Sequence, residues 1–270
     1  MRNLSIVYEG LDRVDGSARF GFGSTKSLSS VSGPIEVRPT LENPSQATLD
    51  IQIRPLAAIA GTDSKALSST FKSIFAPALF LSHHPRTLVQ IVGQALCGSE
   101  SGSGLGSAGR GWNATLTASL VNATSAAFVN AGSVPMKGVV CAVSVGRLRS
   151  EESSKATLIL DPEEAELPRL AGSGCFAFLF SAVLATSPLS SAEVPPCSLL
   201  WTNYTTAAPF DVSELSKARA LAEKGAREVW LKMKESVAYL EKSAAPQVEL
   251  KTELEEHPGA MEVDDEKVEI

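Results

Sequence analysis

Hydrophobic and polar positions alternate with a period of two through LSIVYEG, GSARFGFG, TKSLSSVSGPIEVR and ATLDIQIRP, all within the first 55 residues. Such alternation turns one face of each segment towards a core, and the Gly, Asp and Pro residues between the runs mark turns, so a β-meander is expected. Asp15-Gly16 is the clearest hairpin-turn signal in it. From Asp63 the period lengthens. Leu67, Phe71, Ile74, Phe75, Ala78 and Leu79 recur at helical spacing, predicting a helix that starts near Thr62 and that Pro77 kinks or shortens. Pro85-Arg86 then opens an apolar strand, TLVQIVGQAL, and residues 97–111 form a Gly/Ser-rich insertion that composition makes flexible.

Helical spacing returns between Trp112 and Ala131, through Leu116, Leu120, Ala123, Ala127 and Phe128. So many Ala, Ser and Thr residues predict a helix packed closely against its neighbours, with Gly132 as its C-terminal cap. MKGVVCAVSVGRL and KATLILDP read as two strands joined by the charged hairpin RSEESSK, and Gly174 to Ala185 as a strand buried on both faces. Asp211 with Glu214 matches a capping box, and Phe210 with Leu215 a hydrophobic staple. Beyond them Leu215, Ala218, Ala222, Ala226, Val229, Met233, Val237 and Leu240 hold one face of a long helix, expected to lie on a sheet. No repeat period is evident, so solenoid and propeller folds fall away. The expectation is an α+β architecture.

Composition changes this picture little: 44% hydrophobic and 20% charged residues are those of a globular chain. No apolar run is long enough for a membrane span, and MRNLSIVYEG lacks the apolar core of a signal peptide, so a soluble intracellular protein without membrane association is expected. On that expectation the sequons at Asn113, Asn122 and Asn203 are chance matches, and Cys97, Cys141, Cys175 and Cys197, too far apart for a zinc motif, are buried thiols. Charge is uneven. Residues 247–270 carry nine carboxylates against two lysines, so the net charge of −6 belongs to an acidic tail, expected to be disordered, and the body is near neutral.

Few residues stand out chemically. Gly104-x-Gly106-x-x-Gly109 matches a dinucleotide fingerprint, but it lies inside the long Gly/Ser insertion with no acidic residue ending the next strand, so it is read as linker. His83-His84 lack an acidic partner or nucleophile and are read as a solvated turn before a strand. Asp161, Glu163, Glu164 and Glu166 follow the strand TLIL. Crowded carboxylates there could bind a divalent metal or share acid/base work, but a solvated acidic turn is the plainer reading. Lys72, Arg86, Arg110, Lys137, Arg147 and Arg149 are scattered, without the interleaved aromatic residues of a stacking platform.

Taken together, several segments are more specific than any one. Asp15-Gly16-Ser17-Ala18-Arg19-Phe20, then Gly23-Ser24-Thr25-Lys26 and Ser32-Gly33-Pro34-Ile35-Glu36-Val37, resemble the opening of the RNase PH family. ATLDIQIRP, the helix before HPRT, the run from Val121 to Met136 (VNATSAAFVNAGSVPM), the strand from Val139 to Gly146 and Leu158-Ile159-Leu160-Asp161-Pro162 follow in the same order as in that family. The resemblance covers about Ser5 to Lys242. It implies an RNase PH-like fold (ribosomal protein S5 domain 2-like, two βαβα-type halves) over residues 1–245, ending in a long C-terminal helix, with the acidic tail at 246–270.

The resemblance also implies a function: a subunit in the hexameric ring of the RNA exosome. Its partners would be other RNase PH-like subunits, S1/KH-type cap subunits, associated nucleases and single-stranded RNA, in nucleus, nucleolus and cytoplasm. Active members of the family bind phosphate through a Gly-Thr-Arg turn and a helix arginine, and carry a pair of aspartates. Here the insertion ending Gly111-Trp112-Asn113-Ala114-Thr115 replaces the turn, and Ala76 stands for the helix arginine. Asp161 remains, with Glu164 as a degenerate companion, but the register of a second aspartate falls near Ala165. The attacking phosphate needs a cation or amide cradle, so no catalysis, metal or cofactor is expected of this chain. The alternative is a phosphate-dependent 3′-to-5′ exoribonuclease acting as a homo-oligomer through Asp161 and a neighbouring glutamate. Lys72, Arg86 and Arg110 are the candidates for RNA phosphate contacts.

Overall fold

The computed structural model describes residues 1–56, 60–97, 112–148, 157–182, 194–207 and 209–244. The insertion at 98–111, the hairpin RSEESSK and the acidic tail therefore lie outside the described residues, as do Arg110 and Gly104-x-Gly106-x-x-Gly109. Among the described residues, two five-stranded sheets and three α-helices make up the fold. In the first sheet β1 (Leu4–Tyr8), β2 (Gly16–Phe22) and β3 (Thr25–Glu36) pair antiparallel in succession. The expected meander stops there. β4 (Thr48–Arg54) is separated from β3 by β5 (Thr87–Cys97), with which it runs parallel, giving the order β1-β2-β3-β5-β4. A parallel pair needs a crossover, and α1 (Thr62–Phe75) supplies it, packed on β4. Its C-cap is Ala76, directly before Pro77, so the helix is shortened rather than kinked.

The second sheet holds β6 (Val139–Leu148), β7 (Thr157–Leu160), β8 (Leu170–Phe180), β9 (Cys197–Thr202) and the short β10 (Thr205–Thr206), all antiparallel. β8 begins earlier than its apolar run suggested, at Leu170. Cys141 and Cys175 are buried as expected, whereas Cys197 is half-buried beside Glu223.

Between the sheets runs α2 (Ala114–Ala131), packed on β2, β3 and β5 from one side and on β6 and β8 from the other. Every residue from Ala114 to Phe128 is buried. Its small side chains let both sheets approach, and the hydroxyls among them pair across the gaps: Ser119 with Ser27 at 2.7 Å, Thr124 with Ser29 at 3.0 Å and Thr115 with Ser144 at 3.0 Å. The Asn122 amide accepts from the Ala142 N–H at 2.7 Å and donates to the Ala142 carbonyl at 2.8 Å. Asn113 caps the start by accepting from the Thr115 N–H, and Gly132, at φ 62°, closes the end.

This packing corrects the reading of Asp15-Gly16. The turn lies earlier, at Asp12-Arg13 with Arg13 at φ 62°, and Gly16 opens β2 directly beneath α2. A Cβ there would collide with the Ala131 backbone nitrogen and the Ala127 carbonyl. Asp15 instead accepts from the Gly33 N–H at 2.6 Å, fixing the β1–β2 connection to β3.

α3 (Val212–Ala244) lies across β6 and β8, with contacts to β1 and β7, burying Ala218, Ala222, Ala226, Val229 and Met233. Val237 and Leu240 are only half-buried, because the helix outruns the sheet. Glu214 takes a tertiary role in addition to its place in the first turn: its carboxylate accepts from the Tyr204 hydroxyl at 2.9 Å and lies 3.3 Å from the Arg147 Nε. Burial first, then the bond to Glu214, pushes the Tyr204 hydroxyl well above its ordinary pKa, so it stays a donor. Phe210 packs edge-on against Tyr204, with ring centroids 5.4 Å apart.

The buried amide of Asn122 gives a direct test. Asn122→Leu leaves the Ala142 N–H and carbonyl without partners, and each buried orphan costs roughly 1–3 kcal/mol, so a loss of at least about 2 kcal/mol is expected in urea unfolding. Gly16→Ala should cost about 1–3 kcal/mol by the same measurement, because α2 has to move.

Candidate functional site

The sequence predicts a solvated acidic turn after β7. For Asp161 that reading is corrected. β7 ends at Leu160, and Asp161 turns the chain in the left-handed region at φ 55°, its N–H donating to the Ser144 carbonyl at 2.9 Å. Its side chain is fully buried and is gripped by Arg2. The Arg2 backbone N–H and Nε each donate to Oδ2 at 3.0 Å, and a terminal guanidinium nitrogen donates to Oδ1 at 2.6 Å. The remaining guanidinium nitrogen reaches the Thr25 hydroxyl at 3.3 Å. Next to this clamp the β2–β3 turn is tied down by the Gly23 N–H, which donates to the Asn3 carbonyl at 2.9 Å. Both oxygens of the carboxylate are thus spent on one guanidinium, a bidentate geometry that satisfies charge and hydrogen bonding together.

Glu163 and Glu164 are exposed and keep the solvated character expected of them. With Arg2, Asn3, Gly23, Ser24 and Ala165 they line an open cleft of about 530 Å³. Glu166 folds back, its carboxylate accepting from the Glu163 N–H at 2.9 Å. Glu164 therefore stands near Asp161 in the chain but faces the cleft, while Asp161 lies beneath it. Among the described residues no three His, Cys, Asp or Glu side chains are grouped so as to hold a metal ion. No described helix is long and apolar enough to cross a membrane.

The other candidates are spread over the surface. Lys72 is exposed in the last turn of α1, and Ala76 caps that helix, half-buried. Arg86 is exposed at φ 59°, its Nε 3.3 Å from Glu42. His83 and His84 sit in the expected turn before β5, in and just after a short 3-10 segment at Leu81–His83. Among the described residues that line the Asp161 cleft, neither Lys72 nor Arg86 is found. Two features escaped the sequence reading. Arg2 carries no local signal, since its partner is 159 positions away. Lys137, dismissed as scattered, has its ammonium 5.4 Å from the centroid of the Phe80 ring, which stacks on His83.

The Arg2–Asp161 pair makes a sharp expectation. Breaking a buried pair by removing one partner strands the other charge, so Arg2→Ala should lose about 3–5 kcal/mol in urea unfolding. The double variant R2M/D161N, which buries no charge, should recover part of that loss.

Residues 1–133 match the family model described as the 3′ exoribonuclease family, domain 1. The chain is 31% identical over 134 residues to the exosome complex component rrp46 of Schizosaccharomyces pombe, covering 50% of this chain and 53% of that protein. It is 40% identical over 86 residues to the exosome complex component RRP46 of Saccharomyces cerevisiae, covering 32% and 39% respectively. The chain thus matches about half or less of the length of these two curated relatives. In three dimensions it superposes on the crystal structure of rice (Oryza sativa) Rrp46 with a TM-score of 0.69 at 23% identity, covering 88% of this chain and 95% of that one. Residues 1–133 thus match domain 1 of the RNase PH type, and the chain shares its fold with rice Rrp46.

Proposed function

We propose that this protein is a ring subunit of an RNA exosome core, supporting 3′-to-5′ RNA processing and degradation through its interfaces and the RNA path, without phosphorolytic turnover of its own. Similarity to the two yeast Rrp46 proteins supports the assignment to a ring. The observation that carries the inert reading is the Arg2–Asp161 clamp. A carboxylate buried under a guanidinium, with both oxygens engaged, is withdrawn from metal binding and proton transfer. Ala76 at the end of α1 offers no charge to an attacking phosphate, and phosphoryl transfer depends on such electrostatic positioning. Among the described residues the start of α2 is met by its own cap, Asn113. The proposed partners are other RNase PH-like subunits, S1/KH-type cap subunits, associated nucleases and single-stranded RNA. The proposed locations are nucleus, nucleolus and cytoplasm.

Gentle purification of the tagged protein from its own cells, with native mass and identification of what accompanies it, tests this reading. Recovery in a ring of distinct subunits is the expected result. The purified chain alone, given single-stranded RNA and inorganic phosphate, should release no nucleoside diphosphate. Recovery only as a homo-oligomer that releases nucleoside diphosphates, abolished by Asp161→Ala, would overturn the proposal in favour of an exoribonuclease.

A further inference from the structure

Phe80, His83 and Lys137 meet on the surface although they come from different segments. The His83 imidazole lies almost parallel to the Phe80 ring, 12° apart with centroids separated by 5.0 Å, and His83 is exposed. One face of the exposed imidazole therefore rests on Phe80, and among the described residues no second ring stacks on it. Lys137, exposed just before β6, holds its ammonium 5.4 Å from the Phe80 centroid. Three residues beyond His83 the exposed Arg86 is paired with Glu42, at 3.3 Å between side chains that are 69% and 36% exposed. An ion pair so exposed is worth little, so an incoming anion can take the guanidinium from Glu42.

The platform is held in shape by backbone bonds before anything binds. The Phe80 N–H donates to the Pro135 carbonyl at 2.9 Å and the Lys137 N–H to the Ala78 carbonyl at 2.8 Å, flanking a bridge between Leu79 and Met136. The His83 N–H donates back to Phe80 at 3.1 Å, the Thr87 hydroxyl to the His84 carbonyl at 2.7 Å and the Arg86 N–H to the Asn43 carbonyl at 3.0 Å. A ring fixed in this way loses little freedom on binding. An outward aromatic face flanked by cations is the chemistry that receives an unpaired base and its phosphates, because every base has a stackable face and single strands leave it free. A duplex hides those faces and would engage only the cations.

We propose that the segment from Phe80 to Arg86, with Lys137, is a contact for single-stranded RNA in which a base stacks on the outer face of His83 and adjoining phosphates meet Lys137 and Arg86. This deepens the reading of the protein as an RNA-handling ring subunit and rests on it for the identity of the ligand. It differs from a purely electrostatic contact in needing an aromatic face at position 83.

The test uses the full chain, a single-stranded RNA oligonucleotide carrying 2-aminopurine and its duplex counterpart, with affinity read by anisotropy over a salt series and stacking by quenching of the 2-aminopurine. His83→Ala should weaken single-strand binding by about five- to a hundredfold and reduce the quenching, the range expected for losing one stacked base. His83→Phe should retain both, because the aromatic face survives. Lys137→Ala and Arg86→Ala should each weaken binding across all sequences and flatten the salt dependence by about one phosphate contact. The proposal is overturned if H83A binds as tightly as the unaltered chain, if H83F fails as completely as H83A, or if the duplex binds as well as the single strand. A chain that binds no RNA overturns it too. Recovery of that same chain in a ring of distinct subunits would show the ring assignment intact and the stacking contact alone at fault.

Discussion

A helix buried on every side must find partners for all its polar side chains inside the protein, and α2 does so while holding two sheets together. Ser119 and Thr124 reach β3, Thr115 and Ser125 reach β6, and Asn122 closes a two-bond pair with Ala142. A helix of Leu and Phe at those positions would hold the sheets too far apart for such bonds to form. A helix of Ala alone would leave the Ala142 N–H and carbonyl without their Asn122 partner. The mixture of small apolar and small polar residues is what permits both contact distance and satisfied hydrogen bonds. Gly16 follows from the same constraint, being the position where β2 passes beneath the α2 backbone.

With the sheets clamped by α2, the two halves meet again at Arg2 and Asp161. The N-terminal segment, the β2–β3 turn and the end of β7 come together there through one guanidinium. This makes the most suggestive carboxylate of the sequence a joint between halves. Its left-handed backbone turns the side chain under the acidic loop, while Glu163 and Glu164 stay outside. Chain neighbours thus acquire different chemistry from burial alone. Another surface cluster shows the converse: Lys137 and His83, far apart in sequence, share a single aromatic ring.

Helices were legible in this sequence because their signals are local. The end of α2 at Gly132 and the termination of α1 before Pro77 follow from a cap and a breaker acting within a few residues, whereas the Asn113 cap at the start of α2 was not read from the sequence. The positions of β1 to β8 were largely legible for the same reason, but β9 and β10 were not read and the pairing was not legible. The period-two pattern of β4 is the same whether its neighbour is β3 or β5, and only the α1 crossover decides that β5 lies between them. Asp15-Gly16 misled because a glycine that avoids a helix backbone looks like a glycine that makes a turn. Glu214 sits where a capping residue belongs and still spends its carboxylate on Tyr204 and Arg147.

By itself the sequence determined the kinds and order of most elements, the near-neutral body with its acidic end, and the motifs that align with one family, since periodicity, caps and residue order are properties of the chain. Tertiary structure alone decided which strands are neighbours, that Asp161 belongs to Arg2, and that an aromatic pair carries a lysine beside it. Those outcomes depend on contacts between residues tens to more than a hundred positions apart, where no local spacing records the partner and only the packing of two sheets around α2 brings the side chains within reach.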